Sequence, residues 1–174
     1  GAHLYMPWWG WERQQRLGFP RGYHIEIGGG YGMPGIGSFA RVARESGYGA
    51  GLKAQARREY GTSISFQGRG EMIPNNFTYC EIDPDTVDRW GIPVLRFHFK
   101  WSDYERDQAR HMAETFRALI DTMGGVARGP STRDASGISV GGSIIHEVGT
   151  ARMGSTSRTS VLNGFCQTHD ADNL

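Results

Sequence analysis

The stretch that decides the fold is Val94-Leu95-Arg96-Phe97-His98-Phe99-Lys100-Trp101-Ser102-Asp103-Tyr104-Glu105, with the long segment that follows it to Met123. The hydrophobic period changes in its middle. Leu95, Phe97 and Phe99 alternate with Arg96 and His98, the spacing of a strand with one apolar face. Ser102-Asp103-Tyr104-Glu105 has the form of a capping box, and Met112, Phe116, Leu119, Ile120 and Met123 then recur at helical spacing. Gly124-Gly125 stops that helix. A half-apolar strand feeding an amphipathic helix predicts an α+β fold: an antiparallel β-sheet covered on one face by helices. The methionines of the stripe read as core filler rather than ligands, and His111 beside it as a surface residue.

Working back from that stretch, residues 64–67 and 77–82 alternate as strands, with Asn75-Asn76 as the turn between them and Asp83-Pro84-Asp85 ending the second. Short polar connections predict that these strands and 94–99 are neighbours in one antiparallel sheet. Asn76-Phe77-Thr78 matches a glycosylation sequon, a triplet too common by chance to carry an argument. Residues 52–60 are good helix formers stopping at Gly61, with a basic face that reads as solvated surface. In 38–51, helical spacing at Phe39, Val42 and Ala43 is interrupted by Gly47, Gly49 and Gly51. Tyr23, Ile25 and Ile27 form the buried face of another strand. The following Gly30-Tyr31-Gly32-Met33-Pro34-Gly35 matches the dinucleotide pattern G-x-G-x-x-G in form only. A fingerprint strand is buried on both faces, whereas this one carries His24 and Glu26, so the segment reads as a glycine-rich turn. Residues 1–20 read as irregular and aromatic, with Trp8, Trp9 and Trp11 either packing a loop onto the core or forming a wall for a sugar.

Composition narrows the classes. With 19 Lys+Arg against 18 Asp+Glu there is no basic excess to attract nucleic acid. No apolar run approaches the ~20 residues of a membrane span, and Gly1-Ala2-His3-Leu4 has no signal-peptide pattern. The start without Met predicts a position inside a longer polypeptide. Cys80 and Cys166 read as free thiols. Gly supplies 26 of 174 residues, about twice the ~7% of ordinary chains, without a period. That predicts many tight turns and close backbone approaches.

Forward of the helix, a polar connection over 126–140 delivers the chain to Gly141-Gly142-Ser143-Ile144-Ile145-His146-Glu147-Val148-Gly149-Thr150-Ala151-Arg152-Met153-Gly154. Ser143-Ile144-Ile145 reads as a short buried strand holding His146 rigidly at its end, and Gly149 and Gly154 as points of positive φ or close approach. A zincin site H-E-x-x-H fails, because the fifth position is Thr150. A nucleophile elbow G-x-S-x-G fails around Ser143 for want of the second glycine. No metal site is expected. A lone imidazole suits proton abstraction from an alcohol, with a cofactor to accept the hydride that no side chain can take.

This segment resembles the C-terminal region of the glucose–methanol–choline oxidoreductases, through His146-Glu147-Val148-Gly149-Thr150-Ala151-Arg152-Met153-Gly154, Thr159-Ser160-Val161-Leu162-Asn163 and Cys166-Gln167-Thr168-His169-Asp170-Ala171-Asp172-Asn173-Leu174. It is most similar to the bacterial branch with gluconate, fructose and sorbitol dehydrogenase subunits. The resemblance implies FAD, with His146 as active-site base and hydride moving to the flavin. It implies flavin contacts at Gly149, Thr150 and Asn173, a loop-anchoring role for Arg152, and no catalytic role for His169. It divides the chain into a substrate-domain portion, 1–140, and the start of a flavin-contacting segment, 141–174. The substrate is then a sugar, sugar acid or polyol, and the electron acceptor oxygen, a quinone or a partner subunit, in the periplasm or cytoplasm by analogy. The family's N-terminal Rossmann-like FAD-binding domain has no counterpart here, and its second active-site His or Asn falls beyond Leu174. The expectation is a fragment that neither binds FAD tightly nor turns over substrate alone. The rival expectation is a non-enzymatic carbohydrate-binding module using the aromatic N-terminal stretch.

Overall fold

The computed structural model describes residues 4–29, 36–127, 137–143, 146, 149, 151–171 and 173–174, with backbone only at 36–39 and 46. Its elements are β1 (Leu4–Met6), a 3-10 helix (Trp11–Arg16), β2 (Tyr23–Gly29), α1 (Ile36–Ser46), α2 (Ala50–Glu59), β3 (Ile64–Gly70), β4 (Tyr79–Val87), β5 (Pro93–His98) and α3 (Asp103–Thr122). The class is α+β with antiparallel strand pairing. Two compact units share the chain: residues 1–71 with 104–128, and residues 72–103 with 129–174. The boundary at 140/141, drawn by role, falls inside the second unit.

In the first unit β2 is the central strand of the order β1-β2-β3. Tyr23 and Ile25 point to one face and are buried, Ile25 completely, and Phe19 and Met112 close the cluster. Helix α3 supplies Met112, Phe116 and Leu119 to this core, and Phe116 stacks on Phe66 of β3 at 5.7 Å between ring centroids. Gly68 and Gly70 of β3 make that approach possible: a Cβ at Gly68 would stand 2.4 Å from the Met112 sulfur. The Gln108 side-chain amide donates to the carbonyls of Arg21 (2.8 Å) and Gly22 (3.2 Å), satisfying backbone just before β2. Helix α3 ends as its glycines dictate. Gly124 takes φ +69°, its N–H bonds Asp121 O, and Gly125 N–H bonds Ile120 O, the paired bonds of a Schellman motif.

Several expectations are corrected here. The N-terminal stretch is not irregular, since it forms β1 and the 3-10 helix. Trp8 is no open wall: its ring packs on Trp9, Phe19 and Tyr23, although Trp11 is 80% exposed. His111 is no surface residue, because its Nδ1 meets the Tyr23 hydroxyl at 2.7 Å and its ring packs against Phe19. Met123 falls off the apolar stripe and is exposed. Glu26 lies on the far face of β2 yet is only 8% exposed, held by Arg69 Nε at 2.8 Å across the strand pair. The glycine-rich turn at 30–35 lies outside the described residues. However, β2 runs antiparallel to both neighbours, which is not the parallel βαβ unit a dinucleotide fingerprint needs. Helices α1 and α2 are separated at Gly47 and Gly49, both at positive φ, and Gly61 at φ +71° follows α2 as expected.

The single sheet does not form. β3 pairs with β2, and β4 pairs only with β5 among the described strands. Asp83-Pro84-Asp85 does not end β4 but makes a bulge: pairing moves from Ile82↔Leu95 to Val87↔Pro93, five steps on one strand against two on the other. The turn chemistry is present within it, since Asp83 Oδ1 accepts from the Asp85 and Thr86 N–H groups at 2.9 Å. The Asp85 backbone N–H first, and after it the Arg96 guanidinium and the Thr86 N–H, hold the Asp83 carboxyl below its usual range against an opposing effect of desolvation. The face expected to be buried is open: Ile82, Leu95 and Phe97 are exposed, Phe97 by 65%.

Candidate functional site

The approach to His146 is tied to residues just past β5. Trp101 Nε1–H donates to Ser139 O at 3.1 Å, and Gly141 lies so close to Phe99 that a Cβ would meet its ring at 2.6 Å. Gly142 then turns at φ +78°, and Ser143 closes the turn by donating its N–H to Val140 O at 3.0 Å. Ser143 is therefore in a turn and not in the expected buried strand, while Ile144 and Ile145 lie outside the described residues. His146 is exposed. Gly149 has φ +102° with open space where a side chain would stand. Thr150 lies outside the described residues, and Asn173 is exposed.

Past Arg152 the chain folds back on itself in three short passes. The Arg152 carbonyl accepts from Val161 N–H (2.9 Å) and Leu162 N–H (3.1 Å), Gly154 N–H donates to Leu162 O (2.8 Å), and His169 N–H donates to Val161 O (3.1 Å). Arg152 thus anchors the loop through its main-chain carbonyl, and its side chain is exposed. Asn163 Oδ1 accepts from Phe165 N–H at 2.8 Å and Gln167 N–H at 3.2 Å, which supports the tight turn where Cys166 adopts φ +64°. The Thr168 hydroxyl donates to Ala171 O at 2.8 Å. Within the passes sit Ser160, only 8% exposed, and His169, whose Nε2 lies 3.1 Å from Ser160 Oγ and 3.3 Å from Gly154 O. Gly154 is the second close approach expected, since a Cβ there would stand 2.8 Å from Ser160 Oγ. The Ser160–His169 contact was not legible; its only trace is two polar residues nine apart in a glycine-flanked segment.

Both cysteines are free, as expected. Among the described residues no group of three His, Cys, Asp or Glu could hold a metal ion, and no helix is long and apolar enough to cross a membrane.

The family model for GMC oxidoreductase matches residues 77–174, from the start of the β4–β5 region through the three-pass loop. The chain belongs to the GMC oxidoreductases. This GMC chain is 28% identical over 132 residues to the gluconate 2-dehydrogenase flavoprotein of Pantoea cypripedii, covering 73% of this chain and 21% of that protein. It is 26% identical over 180 aligned positions to a 2-methyl-1,2-propanediol dehydrogenase of Mycolicibacterium austroafricanum, covering 100% of this chain and 30% of that protein. The GMC chain therefore spans less than a third of the length of either relative. No solved structure matches it.

Proposed function

We propose that this chain is part of an FAD-dependent oxidoreductase acting on the CH–OH group of a sugar, sugar acid or polyol, with His146 as general base. The observation that supports it is the family match over 77–174, which contains the whole His146 segment. An alcohol is a very weak acid, so its carbon-bound hydride leaves readily only as the hydroxyl proton is removed. An imidazole within hydrogen-bond reach of that hydroxyl takes the proton, a contribution of typically about 10²–10⁴-fold. Exposure of His146 is compatible with reaching a substrate that binds from outside the described residues. Bound FAD would supply the hydride acceptor.

The residues present fit the edge of a flavin and no more. The Gly149 backbone is open to a flat ring, and Asn173, 24 residues further along the chain, has an exposed side chain. No described residues form the βαβ unit that would hold the ADP half. Hence the reading includes a flavin site completed by a longer polypeptide, with the 174-residue chain inactive alone, and an electron acceptor that is a partner subunit or a quinone. The test is the absorption spectrum of the full-length polypeptide, mixed without oxygen with polyols, sugars and sugar acids. Bleaching by one substrate, slowed at least about 100-fold in His146→Ala, is the expected result. A full-length protein that carries no flavin would end the reading.

One observation favours a carbohydrate-binding reading. A cleft of about 470 Å³ in the first unit is lined by Trp8, Tyr23, His24, Arg69 and Glu71, a mixture of aromatic and hydrogen-bonding groups. Trp9 and Trp11 do not line it. Sugar affinity that depends on Trp8 and ignores His146→Ala would place this reading first.

A further inference from the structure

We propose that His169 is a positioning residue: its imidazole pins the three-pass loop that follows the His146 segment. Its consequence for catalysis rests on the oxidoreductase reading above; the pin itself does not.

Counting hydrogens assigns the arrangement. The Ser160 hydroxyl has one hydrogen and donates it to Thr156 O at 2.6 Å. The 3.1 Å contact between Ser160 Oγ and His169 Nε2 must then be filled by a proton on the nitrogen. Gly154 O, 3.3 Å from the same nitrogen, can also only accept. His169 therefore carries its proton on Nε2 and shares it between two oxygens, one on each neighbouring pass. That excludes Ser160 and His169 as a nucleophile–base pair despite their distance, because the nitrogen facing the hydroxyl has no lone pair to offer.

The pin is tight. Ser160 is only 8% exposed, so in the intact loop its hydroxyl takes a hydrogen bond from the imidazole in place of bulk water. Gly154 has no space for a Cβ against Ser160, so the passes already lie as close as a backbone permits. The pinned Gly154 is two residues from Arg152, whose carbonyl takes two N–H bonds from the middle pass. Arg152 is six residues past His146. The pin thus fixes the trailing end of the segment that bears the base. A base displaced by about 1 Å from its productive position loses on the order of 100-fold in rate.

The test compares His169→Ala with His169→Gln in the full-length polypeptide. Glutamine can place its amide nitrogen where Nε2 stands and donate to the same oxygens. Amide exchange at Gly154, Val161 and Leu162 is expected to speed up roughly tenfold in the alanine variant and return to the parent rate in the glutamine variant. In alcohol oxidation kcat is expected to fall about 10–100-fold in the alanine variant with KM within about threefold, and to recover with glutamine. Parent-like exchange in His169→Ala, or glutamine no better than alanine, would overturn the pin. A shift in KM with kcat unchanged would overturn its positioning role. Should His169→Ala fail to fold, Ser160→Ala removes one of the two acceptors, and exchange at Gly154 unchanged from the parent would overturn the proposal equally. If the parent oxidises no alcohol the oxidoreductase reading falls, while the exchange measurement still decides the pin.

Discussion

The two compact units close themselves by different physics. In the first, apolar side chains from β2, β3 and α3 meet, with Ile25 completely buried among Tyr23, Phe19 and Met112. In the second, the apolar side chains of the β4–β5 ribbon remain exposed, and the C-terminal loop is held by hydrogen bonds that the side chains of Asn163, Ser160, Thr168 and His169 accept or donate. The same alternating pattern thus ends in two states. Tyr23 and Ile25 are covered by a helix, whereas Leu95 and Phe97 are covered by nothing among the described residues. Alternation tells which face of a strand is fit for burial; the partner that covers it is settled by long-range pairing.

The sharpest way to break this contrast is to truncate a core residue of the first unit. Met112→Ala is expected to cost about 2–5 kcal/mol in chemical unfolding of the first unit, because the methionine fills the space over Gly68 and Gly70. A loss under about 1 kcal/mol would mean that α3 is not the principal cover. Next in size is Tyr23→Phe. It removes hydroxyl contacts to His111 (2.7 Å) and Thr115 (3.1 Å) and is expected to cost about 1–2 kcal/mol.

The same variant carries a pH signature. Burial, ahead of the smaller opposing hydrogen bond from Thr115, raises the Tyr23 phenol above its ordinary value of 10.0. A raised pKa gives stability that is complete below the unfolded value and is lost as pH climbs through the folded one. Thermal melts of the first unit should therefore fall above pH 10, and that alkaline fall should shrink in Tyr23→Phe. The second unit should respond at the opposite end. Asp83 is depressed below its ordinary 3.8, so its contribution is present above that value and disappears as pH falls through the lower one. Amide exchange at Asp85 and Thr86 should quicken in acid, and Asp83→Asn should remove that dependence. The smallest effect belongs to the open ribbon face: Phe97→Ser is expected to change stability by no more than about 0.5 kcal/mol, as at an ordinary surface position. A loss of 2 kcal/mol or more, measured by urea unfolding, would show the face buried in solution.

What the sequence made legible is local. Ser102 precedes α3 directly and Gly124-Gly125 ends it, because the bonds involved span a few residues. Gly149 and Gly154 could be singled out because only glycine meets a φ of +102° or a neighbour at 2.8 Å without strain. What stayed hidden needed a partner distant in the chain. β3 chose β2, 45 residues away in the His24↔Arg69 pairing, over the adjacent β4. Pro84 looked like a strand end, yet three extra residues could be accommodated as a bulge without interrupting the ribbon. His111 looked solvated until Tyr23, 88 residues earlier, supplied a hydroxyl for its nitrogen. At the site, the motif singled out His146, while the apolar run after Ser143 suggested a strand where a turn stands at Gly142-Ser143.

The discontinuity of the first unit also has a meaning in time. Tyr23 and its helix partner His111 are separated by 88 residues, and the whole β4–β5 ribbon is made between them. A ribosome adding roughly 5–20 residues per second needs about 4–18 s to cross that interval. Through that interval the inner face of β2, joined partway by β3, waits for a cover that has not yet been synthesised. A chain interrupted anywhere before α3 keeps that face bare permanently, so the helix acts as the clasp of the first unit.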